Sequence, residues 1–163
     1  MTGIKVLIVE DEPLIARNIS MYLNNNDFEV AAIAYDADEA LLQLKKQQPD
    51  FAILDINLDS EKDGIDIAAY INQHHFIPFV YLTSYSDKDT LDRAKKTNPS
   101  GFIVKPFNEK TLYATIEIAL ANHAAAVNRH VPALAAERIN KHLVAPLSDR
   151  EFDVINLLYG GKT

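Results

Sequence analysis

The sequence of 163 residues contains no cysteine. Disulfide bonds, thiolate nucleophiles and zinc or iron–sulfur sites with cysteine ligands are therefore excluded, which suits a reducing compartment. The sequence also lacks apolar runs long enough to cross a bilayer, and its N-terminus shows no charged region, apolar stretch and cleavage site in succession. We therefore expect a soluble, cytoplasmic protein that has no membrane partner and carries no secretory signal.

Positive charge is scarce in the N-terminal part of the chain. Residues 1–122 contain 11 Lys or Arg and 19 Asp or Glu, whereas residues 123–163 contain 5 and 4. Because a nucleic-acid backbone is bound by clustered basic residues that release counterions, the acidic part is a poor candidate for a nucleic-acid interface. The length of the chain suits one globular domain with a shorter extension.

Five short apolar segments alternate with segments in which apolar residues recur at helical spacing. Most of the five are uninterrupted, which is typical of strands buried on both faces of a parallel sheet. They comprise residues 4–9, 28–34, 51–54, 79–82 and 102–104. Parallel neighbours need crossover helices, so the sequence predicts a doubly wound α/β domain with a five-stranded parallel sheet. The fifth helix should begin after Asn108, a plausible N-cap, and end near Ala126.

Polar residues of complementary charge follow four of the five predicted strands. In an open α/β sheet the ligand crevice lies at the carboxyl ends of the strands, and five residues should meet there: Glu10, Asp11, Asp55, Thr83 and Lys105. Clustered carboxylates raise one another's pKa unless a cation compensates them, and an oxygen-only ligand set favours Mg²⁺ over zinc. We therefore expect a magnesium site in which Asp11 and Asp55 are direct ligands.

Asp55 lies at the mouth of the central predicted strand. A carboxylate next to a metal ion can attack phosphorus and form an acyl phosphate. Lys105 and the Thr83 hydroxyl would supply positive charge and a hydrogen bond to the transferred group. Each residue alone has an ordinary explanation as a turn former, a helix cap or a solvated lysine. Their coincidence at four strand ends favours a phosphoryl-transfer site.

Five motifs together resemble the receiver domain of bacterial two-component response regulators. They are IVEDE at 8–12, ILDINL at 53–58, DGI at 63–65, YLTS at 81–84 and FIVKPF at 102–107. The resemblance implies a receiver domain over residues 1–122 with a flavodoxin-like sheet of strand order 2-1-3-4-5. It also implies a phosphoacceptor that promotes its own phosphorylation and dephosphorylation, rather than an enzyme.

The resemblance assigns a role to each candidate residue. A sensor histidine kinase would donate the phosphoryl group to Asp55, and Lys105 would bind that group. Pro106 would follow a cis peptide bond, which is credible because X-Pro bonds carry a small cis penalty. The Mg²⁺ ion would be held by Glu10, Asp11, Asp55 and the backbone carbonyl of Asn57.

Three further positions bear on switching and on the lifetime of the phosphoryl group. Thr83 would move toward the phosphoryl group, and Phe102 would swing inward without the hydroxyl of the tyrosine that the family more often has there. The loop 58–64 lacks the usual proline and is one residue longer, which we interpret as a place for kinase selectivity. Asn57 and Tyr85 occupy the positions that face the attacking water, and we expect bulky Tyr85 to slow hydrolysis.

The C-terminal part is expected to contain a helical linker over residues 123–146 and the start of an output domain. Residues 147–163 resemble the opening of a LuxR-type helix-turn-helix domain, with a Leu-Ser-x-Arg-Glu motif and a later Lys-Thr pair. The recognition helix is absent, so we expect DNA binding only in a longer form and interpret the chain as a fragment or a shortened form. The apolar face of the last segment should pack on its own receiver or in a homodimer.

Three function classes remain open. The leading hypothesis is a phosphorylation-controlled receiver that regulates transcription through an output domain. The second is a stand-alone receiver that acts through protein contact. The third is a metal-dependent phosphohydrolase of similar topology, which typically needs a second acid two residues after the nucleophile, where this sequence has Asn57.

Overall fold

The computed structural model describes residues 3–84 and 87–130. Within them, strands and helices alternate along the chain, as the sequence predicts. The strands are β1 (Lys5–Val9), β2 (Glu29–Ala34), β3 (Phe51–Asp55), β4 (Phe79–Thr83) and β5 (Gly101–Val104). The helices are α1 (Pro13–Asn25), α2 (Ala37–Gln47), α3 (Gly64–His74), α4 (Lys88–Lys95) and α5 (Glu109–His130).

The five strands form one parallel sheet in the order β2-β1-β3-β4-β5. This confirms the predicted fold class and strand order. The chain runs from β1 outward to β2 and then returns to β3 on the other side of β1, so the strand order reverses between β1 and β3. In open α/β sheets such a reversal opens a crevice at the carboxyl ends of the two strands.

β3 and β4 each extend one residue beyond the apolar runs that predict them. Asp55 continues the ladder beside Leu82, and Thr83 continues it beside Val104. Asp55 and Thr83 therefore belong to the sheet, and the two residues are only 4% and 6% exposed. Pairing with neighbouring strands overrides the low strand propensity of aspartate.

The helices pack on the sheet through buried residues at helical spacing, such as Ile19 and Leu23 on α1 and Ile67 and Ile71 on α3. Four helices begin at an Asp or Asn whose side chain accepts the backbone N–H three residues later, which satisfies a donor that the helix leaves unpaired. These N-caps are Asp36, Asp63, Asp87 and the predicted Asn108.

α5 continues to His130, where the sequence predicts an end near Ala126. The segment is rich in alanine, the strongest helix former, and the next proline is Pro132. The expected border between the receiver and the helical linker therefore falls inside a continuous helix. The contacts of the chain define two units, Met1–Ala119 and Leu120–Thr163.

Two of the sequence predictions lie outside the described residues. Tyr85 is one, and residues 131–163, with the LuxR-like segment 147–163, are the other. Among the described residues, no helix combines the length and the apolarity that crossing a bilayer requires.

Candidate functional site

The structure brings the predicted carboxylates together at the carboxyl ends of the central strands. Glu10 and Asp11 directly follow β1, and Asp55 is the last residue of β3. One oxygen from each of the three carboxylates lies within 4.8 Å of the others. The crevice at the strand-order reversal therefore contains three carboxyl groups.

Lys105 follows β5 and supplies an ammonium group to this cluster. Its Nζ lies 2.7 Å from Glu10 Oε2 and 3.1 Å from Asp55 Oδ2. The Glu10 side chain is fully buried and the Lys105 side chain is 11% exposed, so both ion pairs are shielded from water. The sequence predicted Lys105 near Asp55 but did not predict its shorter contact with Glu10.

Each carboxylate also accepts one backbone N–H. Glu12 N donates to Glu10 Oε1, Asn57 N donates to Asp55 Oδ1, and both distances are 3.1 Å. Asp59 N donates to Asp11 Oδ2, also at 3.1 Å. These bonds fix the orientation of the carboxylates. Sequence reasoning missed Asp59, because a backbone donor in an irregular loop leaves no residue-type signal.

Burial is the largest cause of the pKa shifts at the two buried carboxyl groups of the cluster. It raises the pKa of Glu10 and of Asp55, and the nearby Lys105 opposes the shift at both. Burial alone would lower the pKa of Lys105, but the hydrogen bond to Glu10 and the negative charge of Asp55 raise it. Lys105 therefore stays positively charged, and its ammonium group contacts two of the three carboxyl groups, those of Glu10 and Asp55.

The donor set of this cluster fits Mg²⁺. The ligands available at Glu10, Asp11 and Asp55 are all carboxylate oxygens, which hard divalent cations prefer and which zinc sites seldom use alone. A cation would also offset the surplus of negative charge. Asn57, the fourth predicted ligand, lies next to Asp55 through its backbone hydrogen bond, and its side chain is exposed.

Helix α3 begins in direct contact with the backbone of Asp55. A Cβ atom at Gly64 would overlap the carbonyl oxygen of Asp55 and would also press on Ile56. Gly64 N donates to Ile56 O at 3.1 Å, and the capping box of Asp63 and Asp66 fixes the first turn of α3. The absence of a side chain at position 64 therefore permits the close approach that sets the position of Asp55.

The predicted switch residues lie on neighbouring strands. Thr83 ends β4, and Phe102 lies on β5 directly beside Tyr81 of β4. The rings of Phe102 and Tyr81 are 5.7 Å apart between centroids, and Phe102 is half-buried. The Lys105–Pro106 peptide bond is cis, the isomer that the resemblance implies.

Comparison with known proteins agrees with this geometry. Residues 6–117 match the family model described as the response regulator receiver domain. The chain belongs to this family. Membership confirms the receiver part of the sequence interpretation, and the LuxR-type assignment of residues 147–163 stays a prediction.

Relatives of this receiver are named as regulators of transcription. The transcriptional regulatory protein PdtaR of Mycobacterium tuberculosis is 34% identical over 146 residues, which cover 90% of this chain and 65% of the relative. The DNA-binding response regulator MtrA of Mycobacterium leprae is 27% identical over 160 residues, covering 93% of this chain and 69% of that protein. This chain therefore spans somewhat less than two thirds of the length of PdtaR.

Solved structures show the same fold. The signal receiver domain of a modulated diguanylate cyclase from Desulfovibrio desulfuricans superposes with a TM-score of 0.71 at 32% identity, covering 76% of this chain and 98% of that one. The chemotaxis response regulator CheY4 of Vibrio cholerae gives 0.65 at 30% identity, with coverage of 72% and 99%. The likeness extends over almost the whole of the two solved structures and over about three quarters of this chain.

Proposed function

We propose that this receiver accepts a phosphoryl group on Asp55 from a sensor histidine kinase in a Mg²⁺-dependent reaction. One observation carries the proposal: Asp55 Oδ2 lies 3.1 Å from Lys105 Nζ, inside a group of three carboxylates whose oxygens lie within 4.8 Å. A carboxylate in this setting has a cation for the incoming group on one side and ligands for a divalent ion on the other.

The transfer exchanges one bond to phosphorus for another. A carboxylate oxygen of Asp55 attacks the phosphorus atom of the donor phosphohistidine, forming a P–O bond while the P–N bond breaks. The electron pair of the broken bond stays on the imidazole nitrogen. Mg²⁺ would neutralise charge on the phosphoryl oxygens. Lys105 would exchange its contact with Asp55 for one of these oxygens, and the Thr83 hydroxyl would donate a hydrogen bond to another.

We propose transcription control as the output of the switch. The names of PdtaR and MtrA support a regulatory output, and the LuxR-like segment 147–163 supports DNA binding in a longer form. The proposal includes a cytoplasmic location and a homodimer, and it treats the receiver as a phosphoacceptor rather than an enzyme. A stand-alone receiver remains the alternative, and it would signal normally without any DNA-binding segment.

Labelling with a small phosphoryl donor tests the site. We expect incubation with acetyl phosphate and Mg²⁺ to give an adduct that is stable in acid and labile to hydroxylamine, as an acyl phosphate is. Asp55→Asn should abolish the adduct. Asp50→Asn is the matched control, because Asp50 lies just before the same strand and is exposed. Equal labelling of the Asp55→Asn variant would refute the assignment, and chelation of Mg²⁺ should prevent labelling of the parent.

A further inference from the structure

A chain of buried hydroxyl groups joins β4 to the end of α4. The Tyr81 side chain is fully buried, and its hydroxyl lies 2.6 Å from Thr97 Oγ1. Thr97 is 8% exposed and follows α4 by two residues. The carbonyl oxygen of Thr97 in turn accepts a hydrogen bond of 2.7 Å from Asn72 Nδ2 on α3. A phenylalanine at position 81 would provide the same apolar packing, so packing alone does not explain why a hydroxyl is present there.

The direction of the hydrogen bonds follows from counting donors. Thr97 Oγ1 lies 2.6 Å from the carbonyl oxygen of Ala94, which can only accept, so the single Thr97 proton is directed there. The Tyr81 hydroxyl must then donate to Thr97 Oγ1. Burial raises the pKa of Tyr81 to about 12, so the phenol keeps this proton at neutral pH. The chain from Tyr81 through Thr97 to Ala94 is therefore fully satisfied.

The other contacts that hold α4 on the domain are weaker than these buried hydrogen bonds. Within α4, all of which the structure describes, Ala94 is the one buried residue. The first turn is capped by the exposed Asp87, and Arg93 forms a 3.4 Å ion pair with Asp63 while remaining 54% exposed. Exposed ion pairs of this kind contribute little to stability. The buried hydrogen bonds thus concentrate the attachment of α4 at its C-terminal end.

The same tyrosine also contacts the predicted switch. Thr83 lies two residues after Tyr81 on β4, and the Phe102 ring packs against the Tyr81 ring. Thr83 is separated from the start of α4 by only four residues. Movement of Thr83 would therefore act first on the N-terminal end of α4, the end that lacks a buried anchor.

We propose that the Tyr81–Thr97–Ala94 hydroxyl chain is a latch that holds the C-terminal end of α4 on the sheet and makes α4 pivot there when the receiver is phosphorylated. The latch stands on the geometry alone, whereas the pivot rests on the proposed function. Tyr81 and Thr97 are positioning residues in this scheme, because they act on α4 and do not touch the phosphoryl site.

Backbone hydrogen exchange of the full chain without ligand tests the latch. The reporters are the amides of Thr97 and Asn98, which donate to Ala94 O and Lys95 O. Tyr81→Phe should raise their exchange about tenfold, equivalent to about 1.4 kcal/mol, and Thr97→Val should do the same. Because both substitutions break one chain, the double variant should exchange no faster than the faster single variant.

Two controls separate a latch from a general loss of stability. Tyr113→Phe removes the same atom from a tyrosine that is 40% exposed, and should leave the reporters unchanged. The amide of Ala52, bonded to Pro78 O in the sheet, should stay protected in every variant. Unchanged reporters in Tyr81→Phe, or an equal rise at Ala52, would overturn the latch.

Loading the site with Mg²⁺ and beryllofluoride, a phosphoryl mimic, tests the pivot. In the parent, exchange should change at Leu91, whose amide donates to Asp87 O, and stay constant at Thr97 and Asn98. In Tyr81→Phe the change should spread to Thr97 and Asn98. A change at Thr97 in the loaded parent would overturn the pivot. If loading has no effect anywhere, the proposed function and the pivot fail together, and the unliganded comparison still decides the latch.

Discussion

Two aspartates lie at opposite ends of β3, and comparing them shows which surroundings distinguish a candidate phosphoryl-acceptor carboxylate from an ordinary surface carboxylate. Asp50 precedes the strand and accepts the backbone N–H of Lys5 at 2.9 Å, while Asp55 ends the strand and accepts that of Asn57 at 3.1 Å. Residue type and backbone hydrogen bond are therefore alike. Asp50 is exposed, whereas Asp55 is 4% exposed and lies 3.1 Å from an ammonium group.

Burial beside one cation and two further carboxylates is thus the distinguishing feature of the carboxyl end. Hydrogen bonding alone orients a side chain, as it does for Asp50. Burial removes water that would otherwise screen the charges, so each added or removed charge acts strongly on its neighbours. Substitutions at the carboxyl end of the sheet test this difference, and substitutions at the amino end are their controls.

Removal of the Lys105 ammonium should have the largest effect on stability. In Lys105→Met the fully buried Glu10 loses its ion-pair partner, and breaking a buried pair from one side leaves an uncompensated charge. We expect the free energy of unfolding in EDTA to fall by about 3 kcal/mol. Mg²⁺ should restore part of the loss and stabilise the variant more than the parent, because a divalent cation can replace the missing charge.

Urea denaturation with and without Mg²⁺ measures both effects. Lys5→Met is the control at the amino end, where the backbone rather than the ammonium group contacts Asp50, and it should change stability by less than about 0.5 kcal/mol. A Lys105→Met variant as stable as the parent in EDTA would show that the ion pairs do not compensate the buried carboxylates.

One glycine at each end of the sheet lies close to a backbone carbonyl group, so substituting each glycine by alanine compares the two ends. A Cβ at Gly64 would overlap the Asp55 carbonyl oxygen, and a Cβ at Gly3 would lie 2.6 Å from the Asp27 carbonyl oxygen. Both Gly64→Ala and Gly3→Ala should lower the free energy of unfolding by about 2 kcal/mol, because overpacking displaces backbone. Only Gly64→Ala should also weaken Mg²⁺ binding, measured by calorimetry on the folded variants. Equal Mg²⁺ affinity in the two variants would remove Gly64 from the positioning of Asp55.

Much of the fold and of the site was predictable because both depend on simple patterns. Uninterrupted apolar runs marked the buried strands to within about one residue, and polar residues at strand ends marked the crevice. The apolar runs stop at Leu54 and Leu82, whereas sheet pairing also includes the polar residues Asp55 and Thr83. The end of α5 was placed too early because the alanine-rich segment carries no stop signal before Pro132.

The contacts that could not be predicted depend on tertiary distances. The Lys105–Glu10 ion pair joins the residues that directly follow β5 and β1, two strands that are not neighbours in the sheet. The donation from Asp59 to Asp11 depends on the path of an irregular loop, and the Tyr81–Thr97 bond depends on how α4 docks. Periodicity and composition carry no information on these distances. The effect of Tyr85 on hydrolysis remains a prediction.

Neutralising Glu10 should have the smallest effect on stability and the opposite sign. Glu10→Gln keeps an oxygen for the Glu12 N–H and leaves Lys105 paired with Asp55. It removes one buried charge from a group that contains three carboxylates and one ammonium. Because Lys105 keeps Asp55 as its partner, the substitution removes a surplus buried charge without leaving the ammonium group unpaired. We therefore expect the free energy of unfolding in EDTA to rise by about 1 kcal/mol.

The same substitution should weaken Mg²⁺ binding about tenfold, because a divalent cation loses one negative charge from its ligand set. Calorimetric titration with Mg²⁺ measures the affinity, and Asp50→Asn at the other end of β3 should change neither quantity. A loss of both stability and affinity in Glu10→Gln would mean that Lys105 fully compensates Glu10. A gain in stability with a loss of affinity would show that the buried carboxylates are kept for the cation rather than for the fold.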